Sequence, residues 1–205
     1  MTALLSSAYF GPVQWYQKLH RFDCVVVEQH DTYRKQTYRN RCLIATSSGI
    51  QALTVPVERP AGGFHATRVK DIRISNHGNW RHLHWQALES AYGESPFFHF
   101  YADDLRPFFS GSWQYLFQFN MEICHTMCQL LDIEPNISFS DHYYAGDDPD
   151  VVDFRDSIDP KHPLPDSDFR PLRYYQVYER RIGFQPNLSI LDLLFNMGPE
   201  AIFYL

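Results

Sequence analysis

Residues 33–41 (Tyr-Arg-Lys-Gln-Thr-Tyr-Arg-Asn-Arg) hold four cations and two phenols within nine positions. Guanidinium and ammonium groups bind phosphate or carboxylate oxygens, and tyrosine rings stack against a base or a sugar. The pattern therefore predicts a ligand-binding segment. Its predicted substrate-binding residues are Tyr33, Lys35, Tyr38, Arg39, Asn40 and Arg41. The alternative is a solvated edge strand whose charges discourage pairing with other chains.

Two proton acceptors, His30 and Asp31, stand shortly before this segment. A transfer reaction onto an amine needs a base near the nitrogen, and either side chain can accept a proton. We therefore expect His30 and Asp31 to be the catalytic residues if the site performs a reaction. The chain contains no GxSxG, HExxH or SxxK motif and no Gly-rich phosphate loop, so no familiar motif identifies the chemistry.

A change of composition marks residues 141–168, which contain nine Asp and four Pro. We expect a long acidic loop that is mobile or becomes ordered only with a ligand or partner. Its Asp147-Asp148 pair is a weak candidate for a cation site, because solvated loop acids are far more common. The expectation is that the protein has no metal site and needs no cofactor. Cys124 and Cys128, four residues apart, are expected in a helical core rather than around zinc.

The elements around the charged segment predict its position. Residues 4–8 read as a strand, residues 13–22 as a helix preceded by Pro12, and residues 24–28 as a buried strand. Strand, helix and strand form a βαβ unit with a parallel pair, and ligands bind beyond the carboxyl ends of such strands. Tyr9 and the start of the helix would lie at this mouth beside His30, where exposed N–H groups favour an anion.

The rest of the chain predicts a single α/β domain over residues 1–205, with residues 141–168 as its acidic loop. We expect a mixed or mostly parallel sheet with an N-terminal βαβ unit, a β-hairpin near 42–57 at its core, and a helical C-terminal half. The further predicted strands are residues 68–75 and 137–140. The predicted helices are residues 76–92, capped by Asn76 or Asn79, a short helix at 103–109 after an aromatic run at 97–101, 115–131 and 190–195.

Composition and charge exclude several classes of protein. The net charge is −6, with 11 Lys and Arg against 5 Asp and Glu in residues 1–85 and 7 against 19 in residues 86–205. The whole chain is too acidic for a dedicated nucleic-acid binder, whereas its basic half suits an anionic ligand. No apolar run is long enough for membrane insertion. The first residues lack a signal-peptide pattern, and the cysteines lack CxxC spacing, so we expect a cytoplasmic protein.

A series of motifs in the first third of the chain is specific enough to compare with known families. A Tyr-Phe-x-Pro turn precedes an aromatic helix, an Asp precedes the second strand, and a Lys-aromatic-x-Asn-Arg pattern leads to Leu-Thr-Val-Pro-Val. The residues concerned are Tyr9, Phe10, Pro12, Tyr16, Asp23, Lys35, Tyr38, Asn40, Arg41 and 53–57, with further similarity at Trp80, His84, Ala91, Tyr92 and 183–196. On these residues the chain resembles the WbqC-like protein family. The chain departs from the family pattern at two places. One is Gly11. The other is Ser6-Ser7-Ala8, which stands where the first strand of some members ends in His-Gln-Pro, so this chain lacks that histidine.

The resemblance implies a role in bacterial surface polysaccharides such as O-antigen, with transfer of glycine or another acyl group to an amino sugar. The expected ligand is a small molecule or a nucleotide sugar, and homo-oligomerisation is left open. A second hypothesis is a non-catalytic glycan-binding or assembly protein, which the absence of a known catalytic motif favours. Metal-assisted hydrolysis or phosphoryl transfer ranks last, because only Asp31 and Asp71 are expected near the mouth.

Overall fold

A four-stranded, fully parallel sheet forms the centre of the computed structural model, which describes residues 1–146 and 148–205. Its strands are β1 (Thr2–Ser6), β2 (Cys24–Glu28), β5 (Ile137–Phe139) and β6 (Val151–Asp153), in the order β5-β2-β1-β6. β1 and β2 pair in parallel over their whole length, from Thr2 opposite Cys24 to Ser6 opposite Glu28. The predicted βαβ unit and the late strand are therefore confirmed, although β1 begins and ends two residues before its predicted bounds.

The chain also forms α-helices, which make up most of the regular structure of its C-terminal half, as predicted. They are α1 (Val13–Arg21), α2 (Trp80–Tyr92), α3 (Phe98–Leu105), α4 (Pro107–Ser110), α5 (Leu116–Leu130), α6 (Glu179–Ile182) and α7 (Ile190–Met197). The prediction that α2 is capped by an asparagine side chain is wrong, because Asn79 makes no such bond and the helix begins at Trp80. Ser189 caps α7 by accepting a hydrogen bond from the Leu191 amide.

The predicted β-hairpin is present as β3 (Arg41–Thr46) and β4 (Gly49–Thr54), paired antiparallel. It forms a sheet of its own and lies outside the parallel sheet, contrary to our expectation that it is the sheet core. It packs instead against α2 and α7. The apolar runs of the hairpin supply one buried face, and those two helices cover it.

The predicted strand at residues 68–75 is wrong. A 3₁₀ turn at Val69–Asp71 and isolated bridges stand in its place. Val69, Ile72 and Ile74 are all buried, which explains their alternating pattern. Their amides and carbonyls pair with loop residues, because the segment runs between loops rather than beside a strand; the Ile74 amide, for example, donates to the carbonyl of Gln114 at 2.9 Å.

The acidic segment 141–168 differs most from expectation. It contains β6, which pairs with β1, and two buried apolar side chains, Phe154 and Ile158. The sequence predicts a loop that is mobile or ordered only by a ligand, whereas the structure shows these contacts within the chain. Asp147, one of the two weak cation candidates, lies outside the described residues. We call residues 154–168 the strap, since they run from the end of β6 across α1.

Candidate functional site

The carboxyl ends of the four parallel strands bring polar residues from distant parts of the chain together. Ser6 ends β1, Glu28 ends β2, Ser140 follows β5 and Arg155 follows β6. This edge is where an open parallel sheet binds ligands. We call it the mouth.

Glu28 is the buried anchor of the mouth, with 1% of its side chain exposed. It accepts hydrogen bonds from the Ser140 hydroxyl at 2.7 Å and from the amides of His30 at 2.6 Å and Tyr144 at 2.8 Å. Burial would raise the pKa of Glu28, but these donors outweigh it, so the pKa is lowered and the group is ionised. Glu28 therefore fixes the start of the loop that carries His30 and Asp31.

Arg155 is a cation of the mouth that is absent from the predicted site residues, as is Arg34. Its guanidinium donates to Asp153 at 2.6 Å and to the Tyr144 carbonyl at 3.1 Å, and lies 3.8 Å from Glu28. It also lies over the ring of Tyr143, at 5.4 Å from the ring centre. Burial lowers the pKa of Arg155, but Asp153 more than compensates and raises it. No motif marks this residue, because its strand is only three residues long.

Arg39 and Asp31 form a second ion pair at the mouth, with 2.6 Å between Nη2 and Oδ2. Arg39 is 2% exposed and Asp31 17% exposed, so the carboxylate is the partner nearer to solvent. Burial lowers the pKa of Arg39, partly offset by Asp31. The Asn120 amide on α5 donates to the Arg39 carbonyl at 2.7 Å and holds its backbone in place. The sequence predicted both charged residues as site members, but not that they would neutralise each other.

Two pockets open from these residues. The outer pocket has a volume of about 210 Å³ and is lined by Asp31, Arg34, Tyr143, Arg155 and Asp156. This is less than the roughly 300–1,000 Å³ of a typical ligand site, so it suits part of a ligand, such as one sugar or one phosphate. Arg34 and Asp156 form an exposed ion pair at 2.8 Å.

The inner pocket lies beneath the strap and shares Arg155 with the outer one. It is lined by Leu5, Ser6, Ser7, Ala8, Trp15, Thr37, Tyr38, Arg39, Phe154, Arg155, Ile158 and Asp159. The Asp31–Arg39 pair joins the two pockets, because Asp31 lines the outer one and Arg39 the inner one. The two pockets are thus adjacent parts of the mouth.

His30 is half-buried beside the mouth. Its amide is held by Glu28, and its ring Nδ1 lies 3.3 Å from the Arg68 guanidinium. Lys35 is exposed and lies over the ring of Phe64, which also packs against the buried ring of Tyr33. Tyr38 lines the inner pocket. Burial raises the pKa of Tyr33 and of Tyr38 to about 12, so both phenols stay protonated near neutral pH.

Three of the predicted site residues make their contacts elsewhere. Tyr9 is fully buried, and its hydroxyl is hydrogen-bonded to Nδ1 of His84 at 2.9 Å. The Asn40 amide donates to the Val55 carbonyl at 2.9 Å, and Arg41 opens β3 opposite Thr54. Their predicted roles in binding stay predictions, and none of the three lines either pocket.

The charge of the mouth differs from the basic one that residues 33–41 suggest. The strap and β6 place Asp153, Asp156 and Asp159 against the arginines. The outer pocket alone carries two arginines and two aspartates, so it is balanced. A balanced pocket binds a ligand with both charges better than a bare anion.

Comparison with known proteins agrees with the sequence motifs. The WbqC-like protein family matches residues 7–160. "Uncharacterized protein Rv1507c" of Mycobacterium tuberculosis is 29% identical over 225 residues, which cover 99% of this chain and 96% of that protein. No solved structure matches the chain. The match covers more than half of the sequence, and it includes β2, β5, β6 and the mouth residues Glu28, Ser140 and Arg155. The chain therefore belongs to the WbqC-like protein family.

Proposed function

We propose that the protein is a transferase in bacterial surface-polysaccharide (O-antigen) biosynthesis that acts on a phosphate-linked amino sugar. The observation that carries this proposal is the outer pocket, where Arg34 and Arg155 face Asp31 and Asp156. An amino sugar joined to a nucleotide diphosphate carries an ammonium and an anion together. The carboxylates suit the ammonium, and the guanidinium groups suit the phosphate.

In the transfer, the amine nitrogen attacks the carbonyl carbon of an activated acyl donor, an ester or thioester of glycine or of another small acid. The amide bond forms as the bond between the acyl group and its carrier breaks, and the carrier leaves as its alcohol or thiol. An ammonium must lose a proton before its nitrogen attacks, so a base must lie beside it. His30 and Asp31 supply that base in this proposal. The paired Asp31 orients the ammonium, and His30, held by Glu28 and facing Arg68, accepts the proton. Tyr143, under the Arg155 guanidinium, supports the sugar or base as a flat surface.

Glycan binding without catalysis is the second candidate. The observation that favours it is the extent of ion pairing in the mouth, where Asp31 and Asp153 are each already bonded to an arginine. A carboxylate that already accepts hydrogen bonds from an arginine has fewer lone pairs free to take a proton from a substrate. Such a site recognises a ligand without needing to move a proton.

The experiment that tests the proposal is a thermal-shift and native-mass screen with nucleotides, nucleotide-linked sugars and nucleotide-linked amino sugars. A ligand that binds the folded state raises the unfolding midpoint by mass action. We expect a shift with an amino-sugar nucleotide that is lost in Arg155→Met and kept in Arg173→Met. Arg173 is a matched control, because its guanidinium pairs with Glu179 on the surface.

Turnover separates the two candidates. With a bound amino-sugar nucleotide and a set of acyl donors, mass spectrometry is expected to detect an acylated product. His30→Ala is expected to abolish the product and to keep ligand binding. Binding without product from any donor would favour the glycan-binding protein, and no ligand shift at all would contradict both.

For the remaining properties, the described residues contain no helix long and apolar enough to cross a bilayer. Cytoplasmic location and homo-oligomerisation stay predictions.

A further inference from the structure

The inner pocket contains polar atoms that lack partners. Within residues 1–146 and 148–205, nothing pairs with Nε of Arg39 or with Oγ of Ser6, and both atoms are buried. Arg39 is 2% exposed, and both residues line the pocket. A buried donor without an acceptor is rare and costly in folded proteins. Two of them on residues that line the same pocket indicate that a further group with oxygen acceptors belongs there.

The pocket is closed in this conformation. Its free space is about 10 Å³, close to the minimum that one water needs. Ile158 and Asp159 of the strap form one wall, and β1 and the Arg39 loop form the others. A carboxylate or phosphate therefore enters only when the strap moves away.

The strap is held by buried contacts at its two ends, whereas its side-chain ion pairs and hydrogen bonds between them are exposed. At its far end Asp166 pairs with the buried Lys18 at 2.8 Å and accepts from the Gln14 amide at 2.8 Å. At its near end Phe154 is buried beneath Lys18. Between them, the polar contacts are exposed: Asp156 with Arg34, whose side chains are 62% and 48% exposed, and Lys161 with Gln36. Exposed ion pairs contribute little, and the buried side chains of this middle part are Ser157 and Ile158. Lifting the middle therefore breaks the Arg34–Asp156 pair and exposes Ile158, while both ends stay in place.

Movement of the strap also changes the charge of the mouth. Asp156 forms an ion pair with Arg34, and Asp159 lines the inner pocket. When residues 156–163 lift, both carboxylates leave, so Arg34 loses its partner, while Arg39 and Arg155 keep their pairs with Asp31 and Asp153. The strap therefore competes, as a tethered anion, for the cations that an anionic ligand would use.

We propose that the inner pocket is an oxyanion subsite, built on Nε of Arg39 and Oγ of Ser6, which opens when residues 156–163 lift. It takes a small carboxylate or phosphate group. This inference rests on the proposed function only in assigning that group to the ligand whose amine lies in the outer pocket. The closing strap then covers the ligand, and Asp156 returns to Arg34 when the site is empty.

The test is an NMR titration of the full ¹⁵N-labelled chain with acetate and, separately, with inorganic phosphate at constant ionic strength. The Arg39 Nε–H resonance reports directly on the subsite. Asp156→Asn removes the competing carboxylate and is expected to tighten binding about threefold or more, because the open state becomes more populated. Asp150→Asn makes the same charge change just before β6, away from the mouth, and is expected to leave affinity unchanged.

Adding Ser6→Ala to Asp156→Asn is expected to weaken binding again and to reduce the shift of the Arg39 resonance. Whichever of acetate and phosphate moves that resonance identifies the oxyanion. Equal affinities in Asp156→Asn and Asp150→Asn, or an Arg39 resonance that neither anion moves, would overturn the subsite. If the subsite fails in this way while the protein still binds an amino-sugar nucleotide, the proposed function stands. If acetate or phosphate binds as expected but no amino-sugar nucleotide does, the subsite stands and the amino-sugar assignment is wrong.

Discussion

At the scale of single residues, Glu28 organises the mouth, because it holds the His30 amide, the Tyr144 amide and the Ser140 hydroxyl together. Glu28→Gln places an amide NH₂ against these donors. We expect a loss of about 2 kcal/mol in the free energy of unfolding at pH 7, measured by urea denaturation. Glu58→Gln is the control, since Glu58 is 53% exposed and pairs with Arg73 at the surface.

The difference in stability between wild type and Glu28→Gln should depend on pH. The pKa of Glu28 is lowered in the folded chain, so its contribution is present above the unfolded pKa and is lost as the pH falls through the folded pKa. The difference between wild type and Glu28→Gln should therefore shrink in acid. A Glu28→Gln chain as stable as Glu58→Gln at pH 7 would contradict this account of the anchor.

His84 gives a second pH-dependent effect. Burial lowers its pKa from 6.5 to about 4, and its ring is hydrogen-bonded to Tyr9. Between these values the unfolded chain binds the extra proton, so stability falls as the pH decreases. We expect His84 to lower the free energy of unfolding by about 2 kcal/mol between pH 7 and pH 5. In His84→Gln, which keeps a polar partner for Tyr9, urea denaturation should show a smaller loss over that range; an equal loss would refute the assignment.

Residue types predicted part of the site and missed the rest for a physical reason. His30, Asp31 and Arg39 lie at the mouth because they follow a strand whose apolar run is easily recognised. Arg155 and Asp156 follow a strand of three residues inside an acidic segment, where periodicity carries almost no signal. Tyr9 belongs to the same turn as the predicted mouth, but its side chain points into the core, and spacing alone does not fix that direction.

At the scale of elements, the strap depends on one buried ion pair. Lys18 and Asp166 are 1% and 4% exposed and lie 2.8 Å apart. Lys18→Met leaves Asp166 buried beside an apolar side chain, so we expect a loss of about 3 kcal/mol in urea denaturation and faster tryptic cleavage after Lys161. Arg34→Gln breaks the exposed pair with Asp156 and should cost less than about 1 kcal/mol. Similar losses in both variants would show that the strap is not tethered at Asp166.

Gly198, at the end of α7, lies close to Phe97, the residue before α3. Gly198 has a φ of +56°, and a Cβ there would lie 2.5 Å from a ring carbon of Phe97. Gly198→Ala therefore meets both backbone strain and a clash, and should lower the unfolding midpoint more than Gly183→Ala. Gly183 also has a positive φ, of +74°, but a Cβ there meets no atom within 4 Å among the described residues. The expected costs are about 3 and about 1 kcal/mol, and equal midpoints would contradict the packing of α3 against α7.

Elements were predictable where a pattern was long. The βαβ unit, the hairpin strands and α5 follow directly from apolar spacing. The hairpin's position was not predictable, because its apolar face fits a neighbouring sheet or a pair of helices equally well. Residues 68–75 alternate like a strand, but their buried side chains satisfy that pattern in a loop held by other loops.

At the scale of the whole molecule, the uneven charge of the chain acquires a structural meaning. The basic first part and the acidic second part meet at the mouth, where Arg34 pairs with Asp156, and at the far end of the strap, where Lys18 on α1 pairs with Asp166. The positive net charge of residues 1–85 predicted a site for an anion. In the folded chain, the outer pocket has equal numbers of arginines and aspartates. This balance is the reason that the proposed ligand carries an amine as well as a phosphate.

The central claim is therefore tested by a matched pair of ligands: a nucleotide-linked amino sugar and the same nucleotide sugar with a hydroxyl in place of the amine. Isothermal titration on wild type and on Asp31→Asn measures both affinities. We predict that wild type binds the amino sugar about tenfold more tightly, the share expected for a charge-assisted contact, and that Asp31→Asn removes the preference. Equal affinity for the two ligands in wild type, or a preference that survives in Asp31→Asn, would contradict the account.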